Sequence, residues 1–227
     1  AGIGSENIYS LTPASGGGIW IGTHSRGTYL WQNGKTYRHN GAGPHSWSVL
    51  EDRSGALWNG NYNDTLRRLT RGELERFYSN EAGAHDYPFA LFEDKSGRVW
   101  AGGEWGLSCY DHGNMSDYLP PLFDKSAFEW VNSLAEHSDG AIWLGTKLGF
   151  LHRFQKGEFT TFLKSDKDSQ FPVCSLYFHR PGELWLARFG FGLSRLKDGQ
   201  FTHYTPAEGL PTTTINGILD DGRGFLW

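Results

Sequence analysis

The sequence predicts an all-β chain built from repeats, and three observations predict it. A tryptophan recurs at Trp20, Trp58, Trp100, Trp143, Trp185 and Trp227, in steps of 38, 42, 43, 42 and 42 residues. Short runs rich in β-forming residues are punctuated by turn signals at a spacing of about 8–12 residues, the pattern of an all-β architecture. No stretch longer than ten residues keeps a helical period. Self-similarity at one period is the mark of a repeat array, so each unit is read as one supersecondary module.

The unit at 171–210 shows the elements in order. FPVCSLYF is a first strand and RPG its turn. ELWLARF is a second strand, and a glycine-rich link leads to a third, GLSRL. The turn KDG opens the fourth, QFTHYT. A four-stranded unit of roughly 40–45 residues has the size of one propeller blade. The expected fold is a β-propeller of four-stranded antiparallel blades at 7–39, 45–80, 87–120, 130–164 and 172–206, with a two-strand partial blade at 213–227. The reading treats 1–227 as a single propeller and as a segment of a larger one, because its two ends duplicate each other's strands.

Columns across the repeats assign work to positions. The first strand carries Leu11, Val49, Leu91, Leu134, Leu176 and Ile218, expected to pack blade on blade. One residue earlier stand Ser10, Ser48, Ala90, Ser133, Ser175 and Gly217, expected to be small because first strands crowd together. First strands covered on both faces predict near-continuous apolar runs, as at 173–178. The six repeated tryptophans are expected as apolar filler between blades, each worth a few kcal/mol when buried. The turn aspartates Asp52 and Asp94 are expected to accept backbone N–H groups of their own hairpins.

Composition narrows the function. A net charge of −4 argues against a general nucleic-acid or membrane-surface binder. No run of 18 apolar residues and no secretory signal is visible in the segment. Cys109 and Cys174 lie on non-equivalent strands of different units and are read as buried free thiols.

The pattern of a D-x-x-G turn, a [LI]-W-[IL]-G-T strand, a Gly-Leu strand and G-x-F-x-x-[YF] resembles the two-component regulator propeller repeat. The nearest copies are DGAIWLGTKLGFLHRFQKGEFTTF at 139–162 and the stretch 190–227, with EGLPTTTINGILDD as a linker between blades. WNGN in the second unit and Ala187–Arg188 in the fifth depart from it. The resemblance implies seven-bladed propellers, often paired, that form the extracytoplasmic sensors of bacterial hybrid histidine kinases, many of which respond to oligosaccharides. It implies a periplasmic location, with kinase and regulator domains lying outside this segment.

No compact catalytic or metal motif is present. The nine histidines form no HExxH pattern, and neither G-x-S-x-G nor a phosphate loop occurs. His137 and His179 take the place of the turn aspartate. The reading therefore assigns no catalytic residue, no metal and no cofactor. Repeating residues hold the fold, so a site is sought where the repeat breaks. Two kinds of link are expected at one face: those entering each first strand, and those between second and third strands. They carry the candidate ligand-binding residues His45, Trp47, Tyr62, Tyr87, Glu104, Trp105, Trp130, Arg188 and Phe189. Aromatic rings mixed with charged groups suit a sugar or another polar ring. The leading reading is a ligand-sensing propeller that binds an oligosaccharide or small polar ligand, alone or beside a neighbouring propeller or second copy. Two alternatives stay open: a propeller lyase with a metal or histidine site, for which His45, His85 and Glu104 could serve, and a protein-binding scaffold. A propeller hosts all three.

Overall fold

The structure, a computed structural model, describes residues 3–4, 6–41, 43–62, 65–77, 87–104, 106–118, 130–163 and 171–227, with Thr65 described in its backbone alone. They form two compact units, 1–117 and 118–227.

Unit 1 holds three four-stranded antiparallel sheets, each in simple strand order. The first comprises β1 (Ile8–Ala14), β2 (Gly18–Thr23), β3 (Gly27–Gln32) and β4 (Lys35–His39). The second comprises β5 (Ser46–Glu51), β6 (Leu57–Asn61), β7 (Thr65–Thr70) and β8 (Glu73–Phe77). The third comprises β9 (Ala90–Glu93), β10 (Val99–Gly103), β11 (Gly106–Asp111) and β12 (Asn114–Tyr118), the last residue touching the boundary. Unit 2 holds β13 (Val131–Glu136), β14 (Ile142–Thr146), β15 (Leu151–Gln155) and β16 (Glu158–Leu163) in one sheet. Its other sheet is β17 (Val173–Arg180), β18 (Glu183–Arg188), β19 (Gly192–Lys197) and β20 (Gln200–Tyr204). These are the five blades expected from the repeat.

Local chemistry fixes each blade. The third and fourth strands join through Asn33-Gly34, Arg71-Gly72, His112-Gly113, Lys156-Gly157 and Asp198-Gly199, both residues of each pair having positive φ. That is the two-residue turn whose twist matches paired strands. At the preceding turn, Asp52 accepts the N–H groups of Ser54 and Ala56 at 2.9 and 3.0 Å. Asp94 does the same for Ser96 and Arg98 at 2.9 and 3.0 Å. Each aspartate also takes the indole N–H of the tryptophan six residues on, Trp58 at 2.7 Å and Trp100 at 2.8 Å. The turn and the core tryptophan are thus one hydrogen-bonded device.

Blades pack by a second device. The serines one residue before the core column bond to the next blade's first strand. Ser48 Oγ donates to Pro88 O at 2.7 Å and Ser133 Oγ to Val173 O at 3.2 Å. Ser10 Oγ accepts from Val49 N at 3.2 Å, and Ser175 Oγ from Ile218 N at 3.3 Å. The column is small for crowding and for this bond together. Opposite it sit Gly22, Gly60 and Gly145. A Cβ there would run into Ser46 O, Pro88 O and the Val173 side chain respectively.

Three expectations need correction. The strands buried throughout are the second ones, β6, β10 and β14, whereas the first strand β13 alternates buried and half-buried. A second strand is paired on both sides, while a first strand is a sheet edge. Leu11 is 60% exposed, unlike its equivalent Val49, because its face of β1 meets no other blade of unit 1. Residues 213–227 form isolated bridges (Phe189 with Thr214, Asp220 with Leu226) and no strand, as expected of a lone hairpin, which is marginal by itself. Trp227 is accordingly 76% exposed and fills nothing, whereas Trp58, Trp100 and Trp143 are buried and Trp20 and Trp185 half-buried.

Both cysteines are free thiols, Cys109 buried and Cys174 half-buried. Burial pushes the Cys109 thiol up to about 12, which leaves it unreactive at neutral pH.

Candidate functional site

Four of the five first strands share one irregularity, β9 being regular. Their register shifts between Ile8 and Ser10, Ser46 and Ser48, Val131 and Ser133, and Val173 and Ser175. One extra residue, Tyr9, Trp47, Asn132 or Cys174, is left without a partner. A bulge of this kind re-aims a side chain and is a common neighbour of binding sites.

In unit 1 the bulges carry rings. Tyr9 stacks on Trp47 with centroids 4.5 Å apart and planes 13° from parallel. Trp47 stacks on Tyr62 at 6.0 Å and 28°, and Tyr62 on Tyr87 at 4.8 Å and 14°. Four near-parallel rings therefore run across three blades. Phe89 meets Trp47 edge-on at 5.1 Å, and His24 meets Tyr9 edge-on at 5.6 Å. His45 lies 5.9 Å from Tyr62 and 5.7 Å from His24, and its Nδ1 donates to the His24 carbonyl. The inner ring faces are taken up by one another. Ring edges and hydroxyls remain for solvent, with Tyr9 43% and Tyr62 45% exposed.

The ladder stands on a buried polar floor. Asn59 and Asn61, which break the repeat, are fully buried. Asn59 Nδ2 donates to Thr28 Oγ1 at 3.1 Å and to Ser46 Oγ, and Thr28 Oγ1 donates to Ser46 Oγ at 3.0 Å. Ser46 directly precedes the Trp47 bulge, so this network fixes where the ladder starts. His45, on its other side, holds φ at 60°. It is the one non-glycine residue with positive φ outside the x-Gly turns among those described, and such strain gathers at functional sites. Burial raises the Tyr87 phenol above its ordinary pKa, as do Tyr62 and Glu104, so Tyr87 stays a neutral O–H donor.

Unit 2 is built differently. Lys147 Nζ lies 3.6 Å from the centroid of the Trp130 ring, and Lys147 N donates to Trp130 O at 2.8 Å. Arg188 packs its guanidinium 4.2 Å from the Phe191 centroid and 5.7 Å from that of Phe171. Phe189 is exposed, and its N–H donates to Pro172 O at 2.9 Å.

Of the predicted site residues, His45, Trp47, Tyr62 and Tyr87 come together in unit 1, with buried Glu104 acting electrostatically on Tyr87. Trp105, and His85 of the lyase alternative, lie outside the described residues. Trp130 and Arg188 form separate contacts in unit 2. The structure adds Tyr9, His24 and Phe89 to the ladder. The signal for Tyr9 and Phe89 was the column two residues into each first-strand entry, which reads Tyr, Trp, Phe in the first three units, and that for His24 its place in the second-to-third strand link. No group of three or more His, Cys, Asp or Glu suited to a metal occurs among the described residues.

No family model matches the chain, and no curated protein matches it. Solved structures do. The extracellular domain of the hybrid two-component system BT3049 of B. thetaiotaomicron superposes with a TM-score of 0.83 at 24% identity, over 99% of this chain and 32% of that one. The extracellular domain of BT4673 from the same organism gives 0.67 at 18% identity, over 100% and 37%. Virginiamycin B lyase of Staphylococcus aureus, solved with quinupristin, gives 0.77 at 18% identity, over 96% and 75%. This chain thus spans about a third of the length of the two sensor domains. The likeness agrees with the repeat resemblance read from the sequence: the chain has the blade fold of a β-propeller, as those extracellular domains do.

Proposed function

We propose that this chain is a ligand-sensing propeller segment of an extracytoplasmic two-component receptor, and that it binds a polar ring compound, an oligosaccharide foremost, along the aromatic ladder of unit 1. One observation carries the reading: four near-parallel rings from three successive blades, two of them seated on bulges, rimmed by hydroxyls and imidazoles. A ligand lying along it touches residues of three blades at once. Binding then favours whichever arrangement of those blades, or of an adjoining propeller or second copy, holds the ladder in that register. A signal needs such a difference in affinity between two states. The fold shared with extracellular sensor domains supports a site outside the cytoplasm, and no described helix is long and apolar enough to cross a membrane. Titration of a panel of soluble oligosaccharides, followed by tryptophan fluorescence, tests it. Binding by one sugar class that falls tenfold or more in Tyr62→Ala and is unchanged in Trp227→Ala is expected. Equal affinity in Tyr62→Ala would remove the ladder as the site.

The lyase likeness favours a second reading, in which His24 and His45 act on a ring ester. Turnover of such an ester that depends on a divalent metal and disappears in His45→Ala would replace the sensor reading.

A further inference from the structure

We propose that Arg188 forms a second ligand site, an oxyanion site in unit 2 that takes a carboxylate or sulfate group on the guanidinium, beside the paired rings of Phe171 and Phe191. The residue is 7% exposed. Its Nε is buried without a partner, and no ion pair or side-chain hydrogen bond from another described residue reaches its guanidinium. Arginine does not shed its proton in a protein, so burial leaves a charge in place. A buried, unpaired charge costs several kcal/mol unless an opposite charge meets it. The fold does not require one here. Thr23, Asn61, Gly103 and Thr146 occupy the equivalent positions in the other blades, and none is charged.

The surroundings say what the missing partner is. Phe191 at 4.2 Å and Phe171 at 5.7 Å, themselves 5.2 Å apart, pack on one side of the guanidinium, leaving donors on the other side for hydrogen bonding. Its described contacts are these two rings, and His203 lies within reach of its charge. His203, held to Ser194 Oγ through Nδ1 at 2.9 Å, is kept below its ordinary pKa by burial and then by the Arg188 charge. No described carboxylate competes for the fork. A planar guanidinium with free donors beside apolar rings matches an oxyanion in two parallel hydrogen bonds. The exposed link Phe189–Gly190 follows Arg188 directly, so the site lies next to surface that a larger molecule can reach. The proposal stands on unit 2 alone and does not depend on the ladder.

The test uses the whole chain. Melting temperature is recorded in sodium acetate, sodium sulfate and sodium chloride at one ionic strength. The expected result is a rise of several degrees in acetate or sulfate over chloride, which disappears in Arg188→Met and is reduced in Arg188→Lys. Acetate alone names a carboxylate site, and sulfate alone a sulfate site. Arg188→Met in chloride is expected to melt no lower than the parent, because a chain of similar length replaces an unpaired charge. Equal melting in all three salts, or an anion effect that survives in Arg188→Met, overturns the proposal. A loss of stability in both variants with no anion effect in the parent makes Arg188 structural and overturns it equally.

Discussion

Blades 2 and 4 have the same backbone and differ in what they put on it. Each has a bulged first strand, a D-x-x-G-type turn, a wholly buried second strand and a tryptophan at its centre. In blade 2 the bulge carries Trp47, the turn carries Asp52, and the Trp58 indole is bonded to that aspartate. In blade 4 the bulge carries Asn132 and the turn carries His137. The turn backbone is unchanged, with His137 N donating to Ala141 O at 2.9 Å as Asp94 N does to Arg98 O. Asp139 takes over the Ala141 N–H, also at 2.9 Å, but nothing takes over the indole: Trp143 Nε1 is buried without a partner. The other blades that lack the aspartate have replacements. Glu51 of the next blade accepts from Trp20 at 2.6 Å, and Glu183 accepts from Trp185 at 2.9 Å. The backbone repeat tolerates loss of the turn carboxylate, and each indole then finds another acceptor or goes without.

The largest test sets the two tryptophans against each other. Trp58→Ala is expected to cost about 3–5 kcal/mol, the range for emptying a large aromatic site. Trp143→Ala should cost about 1 kcal/mol less, since it breaks no hydrogen bond. The sharper version uses phenylalanine. Trp58→Phe strands the Asp52 carboxylate, whereas Trp143→Phe removes an unsatisfied N–H and should be close to neutral. Urea denaturation of the four variants checks the order, and equal losses for Trp58→Phe and Trp143→Phe would break the comparison.

Close approach of neighbouring blades is common to both, yet the obstacle differs. An alanine Cβ at Gly60 meets the backbone carbonyl of Pro88, while one at Gly145 meets the Val173 side chain. Backbone yields less readily than a side chain. Gly60→Ala is therefore expected to destabilise by about 2–3 kcal/mol and Gly145→Ala by about 1 kcal/mol, within the usual range for overpacking. Denaturation midpoints read both.

The sequence carried the frame in full view, because what repeats is what the backbone demands: the tryptophan, the turn glycines, the small residue beside the core column. It showed the bulge column too, as positions where residue type varies freely, but it could not show that Tyr9, Trp47 and Phe89 meet Tyr62 and Tyr87 in one ladder. Contact across three blades depends on the bulge, and a bulge leaves no residue signature when any side chain can occupy it. The role of Asn59 and Asn61 was hidden for a related reason. They read as a departure from the repeat, and only the buried bonds of Asn59 to Thr28 and Ser46, and of Asn61 to Asn59, make them the floor of the ladder. Arg188 stood out as a departure as well, but its lack of a partner is a fact of three dimensions.

Acid acts on the turn carboxylates of blades 2 and 3. Burial raises the pKa of Asp52 and Asp94, but the hydrogen bonds outweigh it. For Asp52 they come from Ser54, Trp58 and Ala56, and for Asp94 from Trp100 and Arg98. Both carboxyls end below their ordinary values. A carboxyl with a depressed folded pKa adds stability above its unfolded pKa, near 3.9. That stability is lost as pH falls through the folded value. Unfolding free energy should therefore drop on acidification below about pH 4. The drop should shrink in Asp52→Asn, whose stability at neutral pH is already lower. An unchanged acid limb in that variant would show that the turn aspartate does not couple to folding.

The smallest expected effect runs the comparison in reverse. His137→Asp restores to blade 4 the carboxylate that blades 2 and 3 use, on a turn whose backbone bonds already match. The new side chain should accept the Trp143 indole N–H, a gain of about 1 kcal/mol for satisfying a buried donor. The ring contact of His137 with Phe178, centroids 5.0 Å apart, is lost, and two electrostatic losses oppose the gain as well. The contact of His137 Nδ1 with Asp139 at 2.9 Å disappears, and a second carboxylate is placed beside Asp139, which Arg153 holds at 2.8 Å. Both lie toward the surface, where charge pairs are worth about 0–1 kcal/mol. The net change should be a stabilisation of a few tenths of a kcal/mol up to about 1 kcal/mol, larger at high salt, where repulsion from Asp139 is screened. A denaturation midpoint that falls at both low and high salt would mean that the indole of blade 4 is better left without an acceptor, and that blade 4 has departed from blade 2 in more than one side chain.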